Sequence, residues 1–465
     1  MAETIIRPAV PEAFEQFGSA VASGRDTLVV GAQHDAGVGR VYVFVWNGSA
    51  WAEQAMLQAS DRTGLDHFGA SVALSGDALV VAAPGAGAAG QAYVFRRAGG
   101  AWSEEAVLRP SGASSYGFAA SVAIDGDDVL VGGNQAAYFY RRGGTTWTET
   151  ARVTPPSASA GSRFGGAVAV HGDHAVVGDE WEGGAAPHHG SAGVFRRNGT
   201  GWAFVPPLLT SPDPRAYDHF GQAVAIHGDR LIVGAPGVVG GGVVDAGAAY
   251  VYVKVGVSWG LEQKLEPAVV DLPHLVHDFG AAVSLSGEFA VVGNPTDHHP
   301  HPGSGAAHLF QRSGSRWTRV PPVLRAMASG QFDYYGDAVS VSDAGVFVGA
   351  RDVRVTDYSQ GLVYAYALPA DLADRLRVHR DWARYAKVLF GLISGGPGVI
   401  IEPGSGPAPV DPEPFVEWSA LDRGLRQRLV AEALRRVAET IDDRKLRERV
   451  VEVARAVAKK AGDQR

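Results

Sequence analysis

The stretch from Asp218 to Pro236, DHFGQAVAIHGDRLIVGAP, decides the fold, because imperfect copies of it recur along most of the chain. It opens with Phe-Gly, continues as a strand of small residues, turns at Gly-Asp and ends as a Val-rich strand in Gly-Ala-Pro. In a turn this tight, glycine supplies the left-handed backbone that a hairpin needs. Each copy therefore predicts two short antiparallel strands, and the recurrence predicts a repeat architecture.

The copies begin at seven aromatic residues spaced 46 to 59 positions apart. The seven openings are Phe17-Gly18, Phe68-Gly69, Phe118-Ala119, Phe164-Gly165, Phe220-Gly221, Phe279-Gly280 and Tyr335-Gly336. Six copies continue through a Gly-rich loop and an alternating strand to a tryptophan and a fourth apolar strand. Four antiparallel strands in roughly 50 residues, seven times over, predict an all-β fold, a seven-bladed β-propeller whose radial closure protects the sheet edges. The large aromatic residues are predicted to wedge between adjacent blades.

The seventh copy ends at Tyr366 without a tryptophan or a fourth strand, and the missing strand is present at the other end of the chain. Ile6-Arg7-Pro8 matches Leu108-Arg109-Pro110, and Ile6 precedes Phe17 by the spacing found in the next copy. We therefore predict that the segment from about Thr4 to Pro8 completes blade 7, so that residues 1–368 form one ring closed by the N-terminal strand.

These features resemble the FG-GAP repeat family, the seven-bladed propeller of integrin α-subunit heads. The GAP signature of that family matches Gly31-Ala32-Gln33, Ala82-Ala83-Pro84, Gly234-Ala235-Pro236 and Gly293-Asn294-Pro295. The family includes adhesion and ligand-recognition proteins, so the resemblance implies binding rather than catalysis. Many members carry Asp-rich calcium loops between the first two strands, where this chain has short turns such as Ser75-Gly76-Asp77. Calcium takes 6 to 8 oxygen ligands, and these turns offer too few, so no cofactor is predicted.

The pattern becomes helical after Leu368. It predicts a helix over 369–395, a Gly/Pro-rich linker over 396–418, and an amphipathic helical hairpin or one long helix over 419–465. The last segment has 13 Lys/Arg and 8 Asp/Glu, a net charge of +5. It is predicted to pack against the propeller or to mediate docking or homo-oligomerisation. Nucleic acid is not a predicted partner, because the basic residues alternate with acids and no aromatic residues are interleaved.

Composition excludes several function classes. The chain has no cysteine, which rules out disulfides, thiol catalysis and zinc sites ligated by cysteine. No stretch reaches the roughly 18 uninterrupted apolar residues of a membrane-spanning helix, so no transmembrane segment or membrane insertion is predicted. The N-terminus lacks the basic and apolar regions of a secretory signal. The prediction is a cytoplasmic protein, or one exported without a classical signal peptide.

Histidines gather in the loops that join strand 4 to the next strand 1 and strand 2 to strand 3, which the blade order places on one face. Ten of the 15 histidines fall there: His34, His67, His188, His189, His219, His274, His277, His298, His299 and His301. The resemblance implies that this is the recognition face. The candidate ligand-binding residues are Asp66, His67, Tyr217, Asp218, His219, His277, Asp278, His298, His299 and Tyr334. The competing interpretation is that Asp-His before Phe-Gly only caps a turn.

The predicted function is a non-enzymatic recognition or assembly module with a protein partner, or with a glycan stacked on rings such as Trp181. The alternative is a metal-dependent propeller hydrolase or lyase with a transition metal on the His-rich loops, for example at His298, His299 and His301.

Paired arginines recur on the opposite face, at Arg96-Arg97, Arg141-Arg142 and Arg196-Arg197. They are predicted to be solvated strand ends, with a stripe that contacts an acidic partner as the alternative.

Overall fold

Each copy of the repeat folds into a four-stranded antiparallel sheet, and seven of these sheets form a ring. The computed structural model describes residues 3–12, 15–34, 38–111, 117–156, 161–183, 186–238, 246–267, 278–354 and 359–368. The first strands of neighbouring blades contact one another, so strand 1 is innermost and strand 4 lies at the rim. The predicted all-β, seven-bladed propeller of four-stranded blades is confirmed.

The N-terminal strand β1 (Glu3–Ile6) belongs to the last blade, and blades 1 to 3 follow it in order. Blade 1 contains β2 (Phe17–Ser23), β3 (Thr27–Ala32), β4 (Arg40–Trp46) and β5 (Trp51–Leu57). Blade 2 contains β6 (Val72–Ser75), β7 (Ala78–Ala83), β8 (Gln91–Ala98) and β9 (Ala101–Leu108). Blade 3 contains β10 (Ser121–Asp125), β11 (Asp128–Gly133), β12 (Ala136–Gly143) and β13 (Thr146–Val153).

The second half of the ring has the same organisation. Blade 4 contains β14 (Ala167–His171), β15 (His174–Asp179), β16 (Ser191–Asn198) and β17 (Gly201–Leu209). Blade 5 contains β18 (Ala223–His227), β19 (Arg230–Ala235), β20 (Ala248–Val255) and β21 (Ser258–Leu265). Blade 6 contains β22 (Ala282–Ser286), β23 (Phe289–Asn294), β24 (Ala306–Ser313) and β25 (Arg316–Leu324). Blade 7 contains β26 (Ala338–Ser342), β27 (Gly345–Ala350), β28 (Leu362–Tyr366) and β1.

The Phe-Gly and Gly-Ala-Pro signatures meet at the seams between blades. A Cβ atom added to Gly31 of blade 1 would stand 2.1 Å from the carbonyl oxygen of Gly69 in blade 2. Gly69 itself has a φ of +94°, a conformation that costs glycine little. The same contact recurs at Gly132 and Gly165, Gly178 and Gly221, Gly234 and Gly280, Gly293 and Gly336, and Gly349 and Gly18. Both signatures are therefore explained by close packing of backbone against backbone.

Aromatic side chains fill the seams, as predicted. The seven opening aromatics are at most 1% exposed, and Phe68 packs edge-on against Tyr93 with ring centroids 5.5 Å apart. Three strand-4 tryptophans reach into the preceding blade through the indole N–H. Trp102 donates to Gln54, Trp147 to Glu105 and Trp317 to Glu262, at 3.0, 3.0 and 2.9 Å.

The ring closes as the sequence predicts, although the strand is Glu3–Ile6 rather than Thr4 to Pro8. It pairs antiparallel with β28, with Ile6 opposite Val363. The Tyr335 hydroxyl donates to Tyr366, whose own hydroxyl donates to Glu3 at 2.7 Å. The Ala9 N–H donates to Glu53 of blade 1. The same bond recurs in the next two blades, where Ser60 donates to Glu104 and Ser111 donates to Glu149.

The prediction that the paired arginines are solvated strand ends is wrong for the second member of each pair. Arg97 donates to Thr27 at 3.0 Å, Arg142 pairs with Glu105 at 2.6 Å, and Arg197 pairs with Asp128 at 2.5 Å. Each guanidinium group crosses a seam to the preceding blade. The recurring arginine therefore holds adjacent blades together.

The helix, linker and C-terminal helices predicted at 369–395, 396–418 and 419–465 lie outside the described residues and stay predictions. The chain divides into two units, Met1–Arg375 and Leu376–Arg465, and the second lies outside the described residues. Within the described ranges, no helix is long and apolar enough to cross a membrane.

Candidate functional site

One end of the ring carries the loops between strands 2 and 3 of each blade and the loops that connect strand 4 to the next strand 1. We call this end the loop face, and the opposite end, with the hairpin turns, the turn face. Backbone hydrogen bonds join the two kinds of loop across several seams. The N–H of Phe68 donates to Val38, that of His219 to His188, and that of Tyr335 to Ser304.

Three loops of this face share a buried aspartate two residues before the opening aromatic. Asp66, Asp218 and Asp333 are 1 to 3% exposed. Each carboxylate accepts the backbone N–H of the residue three positions earlier, which is Thr63 for Asp66 and Arg215 for Asp218, at 2.9 and 2.8 Å. Burial raises the pKa of Asp218 and of Asp333. Of the proposed ligand-binding residues, Asp66 and Asp218 thus face inward and hold their loops, as in the turn-capping interpretation.

The residues on either side of these aspartates have left-handed backbones. The residue before the aspartate is Leu65, Tyr217 or Phe332, with φ of +55°, +67° and +61°. All three side chains are exposed, by 69%, 58% and 53%. Each loop therefore projects one large apolar side chain into solvent above its capping carboxylate. Of these three, only Tyr217 was among the sequence-predicted site residues.

The residue directly before the opening aromatic is half-buried and also left-handed at His67, His219, Asp278 and Tyr334. The ring of His67 meets His34 edge-on, with centroids 5.1 Å apart. Arg351 lies 5.1 Å above the Tyr334 ring. These predicted residues lie at different seams, so the structure distributes them around the ring rather than gathering them in one site.

The His-rich loop of blade 6 uses its polar atoms internally. Nδ1 of His298 lies 2.7 Å from the carbonyl oxygen of Thr296, and the Thr296 hydroxyl donates to Asp278. His299 is exposed, and its backbone N–H donates to Asp297. The predicted site residue His277 lies outside the described residues. Among the described residues, no three His, Asp or Glu side chains converge as metal ligands would.

A cavity of about 520 Å³ lies at the mouth of the central channel on the loop face. Its lining includes Ala120, Gly166 and Gln222, which directly precede the innermost strands of blades 3, 4 and 5. On the side of blade 4 the wall includes Arg163, Glu180 and Trp181. Arg163 is not among the predicted site residues, and no repeated pattern in the sequence marks it.

Five aromatic or cationic side chains form a continuous cluster beside this cavity. The Arg163 guanidinium lies 4.6 Å above the Trp181 ring, and Trp181 meets His188 edge-on at 5.6 Å. His188 stacks on Tyr217 at 5.6 Å and on His219 at 6.3 Å. Below them, buried His189 places Nε2 2.9 Å from Glu182 and Nδ1 2.7 Å from the Gly190 carbonyl, so its ring is fully engaged.

Comparison with known proteins identifies the repeat. The FG-GAP repeat model matches residues 3–44, 51–95, 147–195, 208–252 and 276–310. Among solved structures, the chain is similar to the β-propeller domain of Cps50 (Swd1) from Myceliophteria thermophila, with 13% identity over 79% of this chain and 100% of that one and a TM-score of 0.51. It also matches Sqt1 of Saccharomyces cerevisiae, with 8% identity over 73% of this chain and 81% of that one and a TM-score of 0.44. At 13% identity the Cps50 likeness shows the fold alone. A search of curated proteins found no match.

Proposed function

The chain belongs to the FG-GAP repeat family, and from that premise we propose that its propeller is a recognition module, without catalytic activity, that binds a protein partner through the loop face. The observation that carries this proposal is the set of three exposed apolar side chains, Leu65, Tyr217 and Phe332, at one loop position of three blades.

Two free-energy costs meet at each of these positions. A non-glycine residue held in the left-handed region costs on the order of 1 to 3 kcal/mol. A large apolar side chain in water also forgoes the stabilisation that burial provides, about 25 cal/mol per Å² of apolar surface. Glycine would avoid both costs, and it occupies many other turns of this chain. Bulky residues at these three sites therefore favour a role outside folding, because folding alone would favour glycine there.

The arrangement favours a protein over a small molecule. Leu65 belongs to the loop that enters blade 2, Tyr217 to the loop that enters blade 5 and Phe332 to the loop that enters blade 7. These blades lie on different sides of the ring, so a ligand that contacts all three side chains must extend across the channel mouth. Two of the three side chains, Tyr217 and Phe332, are aromatic, and aromatic residues are enriched in protein interfaces.

Replacing all three side chains with glycine should separate binding from stability. We expect the triple variant Leu65→Gly, Tyr217→Gly and Phe332→Gly to keep or raise its midpoint of thermal unfolding, because the left-handed strain is relieved. We expect it to lose affinity for the partner by about tenfold or more, as hot-spot truncation does. The measurement is affinity purification from cross-linked source cells with quantitative mass spectrometry, followed by titration of the recovered partner.

The matched control changes two exposed valines of the turn face, Val255→Ser and Val257→Ser, which are 64% and 70% exposed. This control should bind the partner as the unchanged protein does. A triple variant that recovers the same partner with the same affinity would refute the proposal.

For the C-terminal segment we propose docking or self-association, on the strength of the apolar stripe that includes Leu421, Leu425 and Leu429. Removal of residues 396–465 is expected to lower the solution mass, measured by light scattering, to that of a monomer. An unchanged oligomeric state would exclude this segment as the self-association element.

A further inference from the structure

The cavity at the mouth of the channel is lined by an ion pair, Arg163 and Glu180, and the cation is the more exposed of the two. The Arg163 side chain is 52% exposed, whereas Glu180, its ion-pair partner at 2.7 Å, is only 15% exposed. A ligand that enters from the loop face therefore meets the guanidinium before the carboxylate.

The guanidinium keeps unused hydrogen-bonding capacity. It carries five N–H donors in a fixed fork, and within the described chain its one hydrogen bond goes to Glu180. A planar donor fork matches the two oxygens of a carboxylate, which a lysine ammonium group does not do.

Arg163 is held in place from two sides. Its backbone N–H donates to the buried carboxylate of Asp179 at 2.8 Å, and its guanidinium lies on the Trp181 ring. A side chain already fixed in its binding geometry loses less conformational entropy when a ligand arrives. Trp181 thus acts as a platform that orients Arg163. The Arg163 guanidinium covers one face of the Trp181 ring. Tyr217 is the more exposed of the two aromatic residues, at 58% against 39% for Trp181.

From this geometry we infer that the cavity between blades 3, 4 and 5 is a binding pocket for a single carboxylate of the partner protein. Arg163 binds the carboxylate, and Tyr217 contacts an apolar side chain next to it. The inference rests on the proposed recognition function and names the chemical group that the loop face recognises. The carboxylate is that of an acidic side chain or of the partner's C-terminus, since both offer the same two oxygens.

The chain as a whole carries a net charge of −8, so its long-range field does not attract polyanions. A carboxylate must therefore be recognised by direct contact with Arg163, and peptides that carry a single carboxylate test this contact best. Three peptides distinguish the sources: acetyl-Ala-Phe-Glu-Phe-Ala-amide, the same peptide with Gln for Glu, and the Gln peptide with a free C-terminal carboxylate.

Isothermal titration of the full-length protein with these peptides is the test. We expect at least one carboxylate peptide to bind about tenfold or more tightly than the neutral amide, since a hydrogen bond to a charged group contributes about 1.5 to 3 kcal/mol. Arg163→Gln should abolish this difference, and Arg163→Lys should recover only part of it because the fork is lost. Arg316→Gln, which changes an exposed arginine on the turn face, should bind as the unchanged protein does.

Equal binding of all three peptides, or an unchanged preference in Arg163→Gln, would overturn the inference. Thermal unfolding of each variant shows whether the fold is retained. If the glycine variants of Leu65, Tyr217 and Phe332 lose their partner while the peptides are not distinguished, the recognition function stands and the carboxylate pocket does not.

Discussion

Removal of residues 1–8 is expected to lower the midpoint of thermal unfolding of the propeller by about 10 °C or more. The truncation deletes β1, exposes the edge of β28 and leaves the Tyr366 hydroxyl without its Glu3 acceptor. Ile6 is 4% exposed, and loss of a buried isoleucine side chain alone costs about 2 to 5 kcal/mol. Because the first and last blades close the ring, the loss acts on the whole propeller. Calorimetry and size-exclusion chromatography measure it.

The N-terminal strand supplies its own matched control. Ile5 and Ile6 are neighbours on β1, but Ile5 is 53% exposed and Ile6 is buried. Ile6→Ala should lower the unfolding midpoint clearly, whereas Ile5→Ala should change it little. If the truncated protein melted at the same temperature as the full chain, ring closure by this strand would contribute nothing, contrary to its observed pairing.

The blades were predictable because the glycine signatures are imposed by local packing. Where a seam brings two backbones into contact, as at Gly31 and Gly69, glycine recurs at equivalent positions of the repeat. Ring closure was predictable for a related reason, since the missing fourth strand left a gap that only Ile6 and its neighbours could fill.

The direction of side chains in the loops was not predictable from residue type. Asp66 and Asp218 stand beside histidines, which suggested exposed acid-histidine pairs. In the structure a left-handed residue on each side turns the aspartate inward as a cap. The sequence nevertheless contained a signal. Aspartate recurs two positions before the opening aromatic in three copies, and residues that recur in this chain have structural roles in the blades.

The same rule would have identified the role of the second arginine in each pair, which recurs because it crosses a seam. Arg163 and Trp181 follow no such rule. They come from different loops, 18 positions apart, and are brought together by the conformation of the loop after β15. Loops of this kind differ in length from blade to blade, so a contact made by one of them leaves no repeated pattern.

Trp317→Ala is expected to destabilise the propeller by about 3 to 5 kcal/mol, the range for truncation of a buried aromatic side chain. Trp317 is 2% exposed and packs into the core between blades 5 and 6, with Ile232, Val251 and Phe310. Its backbone N–H and C=O bond to the Gln263 amide, and alanine keeps both bonds. The loss of unfolding free energy, measured by chemical denaturation, therefore reports only the packing of the indole ring and the hydrogen bond of its N–H.

A second substitution, Trp317→Phe, separates the two contributions. It keeps most of the packing but leaves Glu262 with Arg230 as its donor. Burial alone would raise the pKa of Glu262, yet that pKa is lowered, because Arg230 and Trp317 hydrogen-bond the carboxylate. Because the pKa of Glu262 is lowered in the folded state, these hydrogen bonds stabilise the fold at neutral pH. Their contribution is lost as the pH falls through the folded-state pKa of Glu262. The difference in unfolding free energy between Trp317→Phe and the unchanged protein should therefore shrink in acid.

Comparing the destabilisation caused by alanine at Trp317 and at Trp46 distinguishes a tryptophan buried between two blades from one that is exposed. Trp46 is 43% exposed, and Trp46→Ala should cost less than Trp317→Ala, because a smaller share of its surface leaves water on folding. If Trp317→Ala cost no more than Trp46→Ala, the tryptophans would not be what joins one blade to the next. The cohesion of the ring would then depend on the glycine contacts and on the arginines that cross the seams.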